Sequence, residues 1–180
     1  MGCLLAAPTS DGINDAHEAM NLHELIEAKI KAIALQISRQ HLALACHKPK
    51  EWAGPLRCFE NVTRQVHERG GRSQSGWIFH HRLAETLPGC GYVVLVHHAV
   101  WHAPDGRMID ITLYANRFQH PIVNAGNVLF LLDDGAQLVR TGAQLAPLPM
   151  QFYALDEADA AMVEHVAELN RKEVETTLKV

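Results

Sequence analysis

The sequence predicts an α+β fold in which helices pack on an antiparallel β-sheet. Three observations predict it. Apolar residues recur at helical spacing near the start, in the middle and at the end of the chain. Strand-like apolar runs follow one another after residue 76. Turn dipeptides separate most of those runs. The 180 residues are 48% hydrophobic and 20% charged. Such a chain can bury a core without disulfide staples. Its length suits one domain over residues 14–180, preceded by a flexible arm over 1–13.

The elements follow in order. Residues 14–45 read as one long helix, with Leu22, Leu25, Ile26, Ile30, Ile33, Ile37 and Leu44 near helical spacing and Asn14 or Asp15 as the cap. Residues 47–57 form a loop broken by Pro49, Gly54 and Pro55. A second helix starts near Cys58, carries the stripe Phe59, Val62, Val66, and stops at Gly70-Gly71. Strands are expected over 77–82, 92–102, 108–113, 127–132 and 136–140. Pro88-Gly89, Pro104-Asp105-Gly106 and Asp133-Asp134-Gly135 supply turns between them. A closing helix over 156–177 has the stripe Met162, Val163, Val166, Leu169.

Residues 94–112 are the most informative segment. Pro104-Asp105-Gly106 fits a three-residue hairpin loop, with Gly106 in the left-handed bulge position. That loop pairs Ala103 with Arg107, His102 with Met108, Trp101 with Ile109 and Val100 with Asp110. Side chains alternate across a sheet, so His98, Val100, His102, Asp110 and Thr112 share one face. Ala99, Trp101, Ile109 and Ile111 share the other. His98 and Asp110 become diagonal neighbours, roughly 7–8 Å apart by backbone position. A slip of one residue would send them to opposite faces.

A carboxylate beside a histidine fixes its tautomer and stabilises the imidazolium. The natural nucleophile for such a pair is Cys58, at a helix start where thiol pKa values fall. Cys58 would attack a carbonyl carbon, His98 would carry the proton to the leaving group, and backbone N–H groups at the helix start would hold the oxyanion. Trp77, Asn61 and His102 are the candidate substrate-binding residues. Each also has a structural reading: core packing for Trp77, bracing of the 47–57 loop or solvent exposure for Asn61, and plain solvation for His102. His97 has the opposite parity to His98 and reads as structural or edge-exposed.

The motifs carry a resemblance. Cys58 on a helix, His98 on a strand in His98-Ala99-Val100-Trp101, and Asp110 in Asp110-Ile111-Thr112 resemble the transglutaminase-like members of the papain-like cysteine hydrolases. Cys58-Phe59-Glu60-Asn61-Val62, Gly76-Trp77, His98-Ala99-Val100 and Gly106 to Thr112 also resemble motifs of a group of bacterial proteins with that order. N-terminal glutamine amidohydrolases are similar in the order of the three residues. The resemblance covers roughly residues 58–112. It implies a papain-like core and a cysteine-dependent amide hydrolase or acyltransferase, of deamidase, amidase, protease or transglutaminase type, acting on a protein or peptide without a cofactor. It departs from the pattern in two places: Leu113 follows Thr112 where Pro is common, and no Gln lies between Cys46 and Cys58 to serve an oxyanion hole.

Two other functions stay open. One is a catalytically inactive relative that binds or inhibits a partner, or forms a homodimer, through helix 14–45. The other is a zinc-stabilised fold, since His80, His81, Cys90, His97, His98 and His102 lie close in sequence, though in no recognised ligand spacing. A net charge of −4 argues against a general nucleic-acid binder. Apolar runs such as 42–46 and 128–132 fall far short of the roughly 18 residues of a transmembrane helix. Cysteines 3, 46, 58 and 90 form no C-x-x-C pair, so a reduced cytoplasmic protein is expected. Secretion into host cells as an effector is the alternative. In that setting Gly2 and Cys3 would be acylation sites, although Ala6 replaces the usual Ser or Thr.

Overall fold

The computed structural model describes residues 22–38, 40–87, 89–114 and 121–178. The expected arm 1–13, the Asn14 or Asp15 cap, the Met-Gly-Cys start and Pro88 lie outside the described residues. The fold is α+β. Helix α1 (Leu22–Ile37) leads to β1 (Leu42–His47), then α2 (Cys58–Arg69), β2 (Arg72–Arg82), β3 (Tyr92–His102) and β4 (Met108–Asp110). There follow β5 (Val123–Asn124), β6 (Asn127–Leu132), β7 (Val139–Thr141), β8 (Gln144–Ala146), β9 (Gln151–Ala154) and α3 (Ala160–Leu178).

The sheet is a barrel, not the open antiparallel layer the sequence suggested. Strands run in the order β1-β4-β3-β2-β6, and β6 pairs back on β1 to close the ring. β1 lies parallel to β4 and antiparallel to β6. β5 extends β6, β9 joins an edge of β3, and β7 and β8 form a separate ribbon. Ala45, Ile78, Val100, Val128 and Phe130 fill the interior. Gly76 lets the wall close on this filling: a Cβ there would lie 2.1 Å from the Leu131 carbonyl oxygen and 2.6 Å from the Phe130 ring. Outside, Ile30, Ile33 and Ala34 of α1 cover Trp77, Phe79, Val93 and Leu95. Val62 and Val66 of α2 cover Ala99, Ile109 and Ile111. Met162 and Val166 of α3 pack with Ala154 of β9, while Val163 faces solvent.

The expected helix 14–45 needs correction. Ser38 makes the last helical bond, its N–H donating to the Ala34 carbonyl at 3.1 Å. Its hydroxyl then donates to the Leu132 carbonyl at 2.9 Å and accepts from the Gln40 N–H at 3.0 Å. The chain leaves the helix there, and residues 42–47 become the strand that closes the barrel. β2 starts at Arg72 and not Trp77, because the Ser/Gly run pairs with β3 as far as Arg72 opposite His102. β4 stops at Asp110. Residues expected at 136–140 form β7 at 139–141. α3 begins after Asp159, whose Oδ1 accepts the Met162 N–H at 3.0 Å, so it starts later than residue 156. No helix among the described residues is long and apolar enough to cross a membrane.

Candidate active site

The site forms at a break in the pairing of β3. On one edge β3 pairs with β9 as far as Leu95 and with β4 from Trp101 onward. Among the described residues no strand pairs with 96–100 on that edge, and the start of α2 lies against the gap. The helix begins at Cys58, two residues after Leu56, which holds a left-handed φ of 61°. The Ala99 N–H, left free by the gap, donates to the Cys58 sulfur, as does the Phe59 N–H of the first helical turn. Asn61 braces the approach: its Oδ1 accepts the Gly54 N–H at 3.0 Å and its Nδ2 donates to the Gly54 carbonyl at 2.8 Å.

The hairpin has the register its turn residues predict. Trp101 lies opposite Ile109 and His102 opposite Met108. The Ala103 N–H meets the Arg107 carbonyl at 2.9 Å, and Gly106 has φ 87°. His98 and Asp110 therefore share a face, with His98 Nε2 at 3.1 Å from Asp110 Oδ1. That leaves the other ring nitrogen for the hydrogen bond with the Cys58 thiol. Asp110 is itself held. Its Oδ1 accepts the Thr112 N–H at 3.0 Å and its Oδ2 accepts the Tyr114 hydroxyl at 2.6 Å. The Tyr114 ring stacks against His98, centroids 6.4 Å apart, and packs against His47 on its other flank at 5.2 Å. His47 Nε2 lies 3.1 Å from the Thr112 carbonyl oxygen, which fixes the segment after β4.

These contacts separate charge. Burial resists ionisation of Cys58, but the His98 imidazolium and the two backbone N–H donors hold the thiol below its usual range. Burial also disfavours a charged His98. The anionic sulfur and the Asp110 carboxylate outweigh it and push its pKa up to about 10. Burial raises Asp110, and His98 with its two further donors brings it net below the ordinary carboxylate value. Burial and the neighbouring carboxylate keep the Tyr114 phenol far above its ordinary range, so it remains a donor. The arrangement favours a thiolate beside an imidazolium beside a carboxylate.

Cys58 opens onto two cavities. One, of about 410 Å³, lies over the β2–β3 face and includes Ile78, Val96, His98, Thr112, Leu148 and Met150. The other, of about 700 Å³, runs along α2 past Arg57, Glu60, Arg64 and His67. Leu56, Cys58 and Pro147 belong to both.

The three other sequence candidates lie elsewhere. Trp77 is in the core, its Nε1–H donating to Asp133 Oδ2 at 2.9 Å. Asn61 is spent on the loop. His102 sits half-buried at the hairpin end. None of them lines either cavity. His97 is not edge-exposed; it is buried and bonded through both ring nitrogens. His81 bonds to the Cys90 carbonyl at 2.7 Å. Among the described residues no group of three or more His, Cys, Asp or Glu side chains could hold a metal ion. Sequence reading missed Tyr114 and His47, and it missed Leu148, Met150 and Glu173 as cavity walls. Only Tyr114 had a nearby signal, since it follows Asp110-Ile111-Thr112 by two residues.

No protein-family model, curated protein or solved structure matches the chain.

Proposed function

We propose that this chain is a cysteine-dependent hydrolase or acyltransferase acting on amides or related acyl compounds. The observation that carries the reading is the continuous hydrogen-bonded series Cys58, His98, Asp110 at a helix start that opens onto two cavities. The thiolate attacks the acyl carbon. The His98 nitrogen facing the sulfur gives its proton to the departing amine or thiol, then takes one from water or an acceptor amine. Asp110 holds the ring and offsets its charge. The N–H of Cys58, in the first turn of α2, is a backbone donor for the oxyanion. A helix bearing the thiol, set against a barrel bearing the histidine and aspartate, also fits a papain-like core. The order Cys, His, Asp is that of the transglutaminase-like group.

The test is alkylation by iodoacetamide from pH 5 to 10, with each cysteine followed by peptide mass. Cys58 is expected to react fastest near neutral pH, with an inflection below the ordinary thiol value of 9.0. A Cys58 that labels no faster than Cys46 or Cys90 in folded protein overturns the reading. Under the reading, Cys58→Ala abolishes activity; an inactive binding module would keep its effect.

A further inference from the structure

We infer that the 410 Å³ chamber beside Cys58 is an acyl-binding pocket that selects a medium-length apolar acyl group, with the leaving or accepting half of the substrate lying in the wider groove along α2. The inference rests on Cys58 being the nucleophile and goes on to name the substrate class. A glutamine side chain brings its amide to a thiol on a short stem and has no use for a deep apolar recess. Here the recess is built. Ile78 and Val96, opposite each other in the β2–β3 ladder, form its floor on the face that carries His98. Pro147, Leu148 and Met150 form the facing wall. The volume falls in the range of small-ligand pockets, roughly 300–1,000 Å³.

Besides His98, the charged side chains that line this chamber are Arg82 and Glu173, with His80 between Ile78 and Arg82 along β2. Gly76 is opposite His98 and Arg82 lies six positions further (82 − 76), roughly 20 Å along the strand. Glu173 already accepts the Met150 N–H at 3.1 Å. Near the thiol there is one unclaimed polar group. Thr112 lines the chamber, and its Oγ1 is buried with no hydrogen-bond partner among the described residues. A buried hydroxyl normally has a partner. An acyl oxygen entering from the chamber supplies one. In the other direction Cys58 meets a wider cavity in which Arg57, Glu60, Arg64 and His67 stand among Phe59, Leu138 and Leu145, with room for the amine or thiol half of a substrate. The thiol stands where the two cavities meet, at the place where the acyl half and the leaving half of one substrate would join.

The reaction balances without a co-reactant other than water or an amine. The thiolate forms an S–C bond to the acyl carbon, and the bond to the amide nitrogen or thioester sulfur breaks. That leaving atom takes the proton from His98. Water or an amine, giving a proton back to His98, then displaces the sulfur and releases the carboxylic acid or new amide.

The experiment uses p-nitrophenyl esters from acetyl to octanoyl with the full chain, following nitrophenolate release and intact mass. Each methylene transferred into an apolar pocket is worth about fourfold, so kcat/KM is expected to rise at least about 100-fold from acetyl to octanoyl. One acyl group should appear on Cys58. Val96→Phe and, independently, Met150→Phe occupy the chamber. Each should cut the octanoyl-to-acetyl ratio at least about tenfold with the thermal unfolding transition retained. Thr112→Val should lower kcat/KM about tenfold at every chain length and leave that ratio intact. Acylation of Cys58 at equal rates for all esters, or a ratio unmoved in both chamber variants, overturns the acyl pocket and leaves the nucleophile standing. No acylation of Cys58 by any ester overturns both.

Discussion

His97 and His98 are consecutive on β3, both nearly inaccessible at 2% and 3% exposure, and opposite in character. Alternation along the strand sends them to different faces. His97 turns outward against Phe59 and Trp77, with ring centroids 4.7 and 5.4 Å away. Its Nε2 lies 2.8 Å from the Ala136 carbonyl and its Nδ1 accepts the Leu148 N–H at 2.8 Å. Those partners define a neutral tautomer, and burial lowers its pKa further. His98 turns inward to Asp110 and Cys58 and is pushed up to about 10. Burial drives both rings the same way, so partners decide the outcome. One imidazole pins the 136–148 segment that walls the chamber; the other holds a proton beside a sulfur.

The largest effect should come from removing the charge that separates the two histidines. In Asp110→Asn, His98 loses its carboxylate and the thiol its stable imidazolium. Acyl transfer should fall on the order of 10²–10⁴-fold. Alkylation of Cys58 at pH 6 should slow at least about tenfold, as its inflection moves toward that of an ordinary thiol. An unchanged rate at pH 6 would strip the carboxylate of its role. His97→Phe is the converse. The Ala136 carbonyl and the Leu148 N–H lose their partners inside the protein, which costs about 2–4 kcal/mol in urea unfolding. The alkylation inflection of Cys58 should stay in place. Wild-type stability, or a shifted inflection, would break the contrast between the two rings.

The contrast was readable in the sequence because its causes are local. Pro104-Asp105-Gly106 sets the register, and a period of two then assigns His97, His98, Asp110 and Thr112 to faces. The start of α2 was readable from the break at Gly54-Pro55 and the stop at Gly70. What was not readable depends on distant chain. Residues 42–47, Leu-Ala-Leu-Ala-Cys-His, continue a helical pattern as well as a strand pattern. They become β1 only because β6 and β4, more than 60 residues away, need a strand to close the barrel. Ser73 to Gly76 looks like a flexible linker and is paired along its length with residues 98–101. Trp77, Asn61 and His102 are near the reactive residues in sequence, yet the fold turns them into core, brace and hairpin end. The cavity walls come from 146–150 and the end of α3, which no motif marks.

The smallest expected effect concerns how the Cys58–His98 pair shares its proton. An unfolded chain has the ordinary values of 6.5 for the imidazole and 9.0 for the thiol. Folding raises the first to about 10 and lowers the second. The raised His98 contributes stability that is complete below pH 6.5 and is lost as pH climbs through about 10. The lowered Cys58 contributes stability that is complete above pH 9.0 and is lost as pH drops through its folded value. Just below 9.0, where the folded thiol is ionised, the two slopes cancel, because folded and unfolded states each carry one proton on the pair. Above 9.0 the unfolded chain loses its last proton while folded His98 keeps its own. Stability therefore falls above 9.0, approaching about 1.4 kcal/mol per pH unit, until His98 titrates near 10. Subtracting the urea-unfolding profile of a Cys58→Ala/His98→Gln double variant removes the other titrating groups. The difference should hold level just below pH 9.0 and fall above it. A flat difference from pH 5 to 10 would mean the two groups titrate as they do in the unfolded chain, and the coupling that sets His98 apart from His97 would be gone.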